Sequence, residues 1–197
     1  ESKDEVQLLF QLISKISDNH YRTSDFFDKL EKLFQHLIKD IPSPISYFIP
    51  DYTKYNKRIL FLLLGKGFIK PDEIFQKQYL QNITQIFFYL YPTMKKFLEE
   101  KLQKEIEEEI LKYCKEGIST FEEKCQNGEN DSHICSLIRS DSVEEFITYV
   151  NRTNFSLLTK IKPSFYETHS FLIDKEPTLI EYAAFFGSIQ IIQYLKY

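Results

Sequence analysis

Cys114, Cys125, His133 and Cys135 together carry the donors of a Cys3His zinc site. Zinc sites draw their ligands from short paired spacings, whereas the stretches between these residues are ten, seven and one residues long. Free thiols are therefore expected, and a Cys/His metal-binding or enzymatic protein is the third reading of function. Nucleophilic catalysis needs a serine or cysteine beside a base. The histidines His20, His36, His133 and His169 lie in unrelated contexts, and no strand-turn-helix elbow surrounds any nucleophile. His36 falls near an apolar helical face and reads as a packed edge residue. The run GKGFIK from Gly65 lacks both the spacing and the preceding strand of a phosphate loop, so it reads as a helix terminus. Glu105 and Glu107 to Glu109 supply carboxylates, but on an exposed helix with lysines among them, where nothing would separate them into an acid and a base. No catalytic residue, resident metal or cofactor is expected.

The composition describes a globular protein rather than a disordered one. Of 197 residues 43% are apolar, 16% aromatic and 27% charged, a mixture that folds and can bury a sizeable core. The net charge is −4 with the basic residues scattered, so no footprint for a phosphate backbone is present and nucleic acid is not expected as a partner. The longest apolar run, Ile59 to Leu64, is far shorter than the roughly 20 residues of a membrane span, and no membrane partner is expected either. Three cysteines without dense spacing suit a reducing compartment, so a cytoplasmic location is expected, although a first residue of Glu1 leaves a leader peptide open. Sequons at Asn82, Asn130, Asn151 and Asn154 carry little weight in such a chain.

The elements that would position these residues are helical. With five glycines and apolar residues recurring at three and four, the class is all-α. Val6, Leu9, Ile13 and Ile16 mark one stripe. Phe26, Phe27, Leu30, Leu33, Phe34, Leu37 and Ile38 mark a second, entered through the capping residues Thr23, Ser24 and Asp25. The prolines of IPSPISYFIP predict a turn or extended linker. A short apolar helix should end at Gly65 or Gly67, with a new one starting at Pro71. Residues four apart from Met94 through Leu98, Leu102, Ile106 and Ile110 to Cys114 predict one long helix over 93–116, stopped by Gly117. The small polar run CQNGENDS predicts a linker, which divides the chain into a helical N-terminal domain, 1–124, and a second domain, 131–197.

In the second domain ICSLIRSDSVEEFITYV and IEYAAFFGSIQIIQYLK superpose at an offset of 46, matching Ser142 with Ser188, Val143 with Ile189 and Phe146 with Ile192. Each reads as a short helix, a tight turn at Asp141 or Gly187, and a second short helix. The run TLIEYAAFFGSIQIIQYL resembles an ankyrin repeat, with Thr178, Ala183, Ala184, Gly187, Ile191, Ile192 and Leu195 on the pattern. LIRSDSVEEFITYV resembles a degenerate first repeat with Asp141 where glycine is expected. Leu179 and Glu181 replace the motif's proline and histidine, which removes the usual bonding of the repeat's first turn. Together with NHYRTSDFFDKLEKLF and NKRILFLLLGKGFIKPDEI, the C-terminal segment is similar to ankyrin-repeat proteins of trichomonad protists, in which a helical region precedes the array. That resemblance implies two ankyrin-like hairpins opening an α-solenoid, the second truncated at the chain end.

Both lines lead to a non-enzymatic protein–protein interaction scaffold with an unidentified protein partner. A structural or autoinhibitory cap for a longer ankyrin array is the alternative. The insertion KPSFYETHSFLIDKEP is expected mainly to seal the core, the other reading being a finger that meets a partner. Aromatics gather there and on the following helix, so Phe165, Tyr166, His169, Glu181 and Phe185 are the candidate partner-binding residues. An exposed repeat end would be apolar enough to permit self-association.

Overall fold

The computed structural model describes residues 3–19, 26–39, 57–71 and 84–196. Helices dominate, and among these residues the only β pairing is one isolated antiparallel bridge between Lys160 and Thr178. The chain forms two compact units, Glu1–Asn127 and Gly128–Tyr197. The expected caps at Thr23 to Asp25, the proline-rich turn and the start of the helix beyond Pro71 lie outside the described residues.

In the first unit α1 (Lys3–Asn19) and α2 (Phe26–Lys39) meet through stacked Phe10 and Phe34 rings, 5.3 Å apart. The buried stripe of α1 is Val6, Phe10, Ile13, Ser14 and Ser17: Val6 and Ile13 lie on the expected line, Phe10 and Ser17 take the places expected of Leu9 and Ile16, and Ile16 is exposed, with Leu8 and Leu12. Helix α3 (Lys57–Gly65) buries Ile59, Leu60, Leu63 and Leu64 and packs on α4 (Thr84–Met94). It ends as GKGFIK suggested: Gly67 is left-handed and donates to Leu64 O at 3.0 Å, while Phe68 N donates to Leu63 O at 2.8 Å.

The expected continuous helix over 93–116 is broken. Helix α4 closes in a 3-10 turn, Lys95–Phe97; Leu98 and Glu99 are extended; and α5 (Glu100–Tyr113) starts anew. The Gln103 amide donates to Leu98 O at 2.8 Å, satisfying a carbonyl the break would orphan. Only part of the four-residue stripe is used, since Ile106, Ile110 and Cys114 are buried while Leu102 is exposed. Helix α6 (Ile118–Asn127) packs on α4 and α5, and its Cys125 carbonyl accepts the buried Tyr89 hydroxyl at 2.8 Å. The expected polar linker is thus held rather than free: Cys125 ends up inside α6, and Gly128 and Asn130 are buried.

In the second unit α7 (His133–Arg139) and α8 (Val143–Thr153) form one hairpin, and α10 (Leu179–Phe186) and α11 (Ile189–Leu195) another, with α9 (Ser170–Lys175) between them. The two hairpin turns are built alike. Asp141 N donates to Ile138 O and Ser142 N to Leu137 O; Gly187 N donates to Ala184 O and Ser188 N to Ala183 O. Asp141 and Gly187, at φ 50 and 70, are both left-handed. Helix α10 packs on α7 and α11 on α8, around Ile138, Phe146, Tyr182, Ala183 and Ile191, all fully buried. Ile192 and Leu195 pack at the edge of that core, whereas Ala184 is exposed.

Three hydrogen bonds cross between the hairpins at their turns. Ser188 Oγ donates to Ile138 O, and the Asp141 carboxylate accepts Gln190 N and Ile191 N, each at 3.1 Å, capping α11 from the neighbouring hairpin. The first turn of α10 is closed by its own side chains. Glu181 Oε2 accepts Thr178 N and its hydroxyl, each at 2.8 Å, while Thr178 Oγ1 accepts Glu181 N at 3.3 Å, a capping box that satisfies the donors of this helix start.

Candidate functional site

The insertion between the hairpins is anchored by one buried carboxylate. Glu167 Oε1 accepts Thr168 N, His169 N and His169 Nδ1 at 2.8, 2.9 and 2.8 Å, and Oε2 accepts Asn130 N at 3.2 Å. Burial pushes its acidity toward the neutral acid, but the hydrogen bond and charge of His169 and the backbone donors outweigh that, leaving Glu167 below the usual carboxylate range. Asn130 reaches back through its amide to Lys162 O at 3.0 Å, and Thr168 Oγ1 donates to Gly128 O at 2.7 Å. Arg139 completes the clasp, bonding Asn130 O and the Tyr182 hydroxyl at 2.8 Å each and pairing with Glu129 at 2.8 Å. Both Glu167 oxygens are therefore occupied by donors of this chain, and the group fixes backbone.

Against the clasp lies an aromatic cluster. The His169 ring sits edge-on to Phe185 and Phe186 at 5.0 and 5.9 Å, and Phe185 stacks on Phe171 at 5.8 Å. Its outer members reach the surface: Phe171 is 37% exposed and Phe185 half-buried. Of the residues singled out from sequence, His169 and Phe185 come together here. Phe165 lies half-buried beside buried Tyr166 at 5.3 Å, and Glu181 stands on the first turn of α10. His169 is fully covered and Tyr166 nearly so, placing both in the interior, while Phe165 and Phe185 keep part of their rings at the surface. Phe171, Glu167 and Asn130 complete the arrangement. They sit on a six-residue helix and in loops, where no periodicity marks them.

The other chemistry-bearing residues are dispersed. Cys114, Cys125 and Cys135 are free and buried, and burial pushes the Cys125 and Cys135 thiols up, away from the reactive thiolate. Among the described residues no three of His, Cys, Asp and Glu gather as a metal ion requires. Glu107 does differ from its acidic neighbours. It accepts the buried Tyr91 hydroxyl and pairs with Lys95, each at 2.7 Å, and Lys95 reaches Glu122 at 3.5 Å, tying α4, α5 and α6 together. The hydrogen bond from Lys95, then that from Tyr91, holds Glu107 below the ordinary carboxylate range. An open groove of about 450 Å³ lies along α8, lined by His133, Glu144, Glu145, Thr148, Tyr149 and Arg152. Set beside family models, curated proteins and solved structures, the chain matches none of them, which leaves its own residues as the ground for what it does.

Proposed function

We propose that this chain is a non-enzymatic protein-interaction scaffold whose second unit is a pair of ankyrin-like hairpins, in keeping with the resemblance to trichomonad ankyrin proteins read from its sequence. The observation that carries the reading is the repetition of structure: two turns with the same bonding and a left-handed residue at the same place, each helix packed on its counterpart, and a carboxylate of one turn capping the helix after the other. Stacked hairpins of this kind hold a surface rigid, which lowers the ordering cost of binding a partner. The stacked Phe171 and Phe185 rings, with half-buried Phe165, are the anchors offered to a protein partner, since rigid aromatics dominate interface energetics. The test is affinity capture from the source cell with the wild-type chain beside Phe171→Ala and Phe165→Ala, each checked for unchanged helix content. A protein partner recovered by the wild type and weakened by about tenfold or more in a variant is expected. Equal recovery by all three chains removes the aromatic surface from the reading, and recovery of no partner removes the scaffold itself.

A further inference from the structure

The loop after α8 projects between two firm anchors. Asn154 ends the helix in the left-handed conformation, φ 51, and Phe155 donates its N–H to Val150 O at 3.0 Å while its ring packs at 6.1 Å from Tyr149. Beyond the loop Ile161 is buried and donates its N–H to Pro177 O at 2.8 Å. Between them 156–159 form a tight turn, closed by Thr159 N donating to Ser156 O at 3.1 Å and steadied by Leu158 N donating to Ser156 Oγ at 3.3 Å. Its two central residues are Leu157 and Leu158, 37% and 91% exposed. Such positions ordinarily go to glycine, proline, asparagine or aspartate, and a leucine standing almost wholly in water contributes nothing to this core.

The loop segment's own charge has one sign, with acids only on the elements beside it: Glu144 and Glu145 share a groove with Arg152, and Asp131 accepts the Ser164 hydroxyl. Residues 146–166 contain no aspartate or glutamate, while Arg152, Lys160 and Lys162 are all exposed, in a chain whose net charge is −4. Lys160 stands at the base of the loop, where it bridges to Thr178. Glu181, which lies within the field of Lys160, is engaged by the Thr178 N–H and hydroxyl.

We propose that this loop docks on an anionic phospholipid surface, with Leu157 and Leu158 entering the acyl boundary and Arg152, Lys160 and Lys162 remaining among the headgroups. The shape decides for lipid. A convex apolar tip with cations set behind it follows the layering of a bilayer, apolar beyond anionic, whereas a protein would have to supply a matching pocket rimmed with acids. Docking of this kind needs no spanning helix, and among the described residues no helix is long and apolar enough to cross a membrane. The inference stands apart from the scaffold reading, because a lipid vesicle contains no protein partner.

The experiment is flotation of the full chain with phosphatidylcholine vesicles, with and without about 30% phosphatidylserine. Binding about tenfold stronger to the serine-containing vesicles is expected, and it should fall away at about 0.5 M salt. Leu158→Glu and the double variant Lys160→Glu/Lys162→Glu should each weaken it about tenfold. Helix content should be unchanged, because these side chains point to solvent. Leu111→Glu, a change at an exposed leucine on α5, should leave binding intact. No partition into either vesicle, or partition that Leu158→Glu leaves untouched, overturns the proposal; loss of a captured protein in Leu158→Glu without vesicle binding assigns the loop to a protein pocket instead.

Discussion

Asp141 is held at φ 50, where a residue with a Cβ carries a strain of about 1–2 kcal/mol. Its carboxylate offsets the strain by accepting the second and third N–H groups of α11, at the positive end of that helix. Three substitutions separate these effects. Asp141→Ala keeps the strain and loses the cap, so it should cost about 1–2 kcal/mol, the cap alone; Asp141→Gly loses the cap but relieves a strain of similar size, so it should cost less than alanine; Asp141→Asn, which tolerates the conformation and still accepts, should stay close to the wild type. Urea midpoints followed by circular dichroism rank the three, and an alanine variant as stable as the wild type would show that the cap contributes nothing. The left-handed turn was legible in the sequence because Asp141 aligns with Gly187. The cap was not, because it joins residues 49 and 50 positions apart and exists only once the hairpins are stacked.

Among the helices, α10 packs on α7 through one of its two adjacent alanines. Ala183 is fully buried while Ala184 faces solvent, so the close approach anticipated for both rests on Ala183. Ala183→Leu should overpack the hairpin contact by about 1–3 kcal/mol, whereas Ala184→Leu should change stability by less than about 0.5 kcal/mol. Thermal unfolding of the two variants decides it, and equal losses would mean that the hairpins do not meet on the Ala183 face. The hairpins were legible because their turn chemistry is local: a left-handed residue, then serine, then apolar residues at helical spacing. Helix α1 shows the limit of periodicity. Its apolar residues fall on two faces, and the stack of Phe10 on Phe34, a contact with another helix, accompanies burial of the Phe10 face while Leu8, Leu12 and Ile16 stay outside. The break at Leu98 had no signal either, since the four-residue spacing runs straight through it.

At the scale of the molecule, Gly128–Tyr197 has a core of its own and a polar clasp whose members all lie within it. That segment produced alone should unfold in one cooperative transition, with a urea slope of about 1 kcal/mol per molar, as befits its size. Glu167 gives the transition a pH dependence of known sign. Its acidity is held below the ordinary carboxylate range in the folded state, so its contribution is complete above the unfolded value and is lost as the pH falls through the lowered one. Stability should therefore decline as the pH drops below about 4, and Glu167→Gln should flatten that decline. The same substitution should cost about 2–4 kcal/mol at neutral pH, because an amide cannot accept all four donors that converge on the carboxylate. Urea titrations of both proteins at neutral and acid pH make the measurement. A glutamine variant with the same acid decline and the same neutral stability would mean that the hairpins hold together without the clasp, and that the insertion lies on the unit without supporting it.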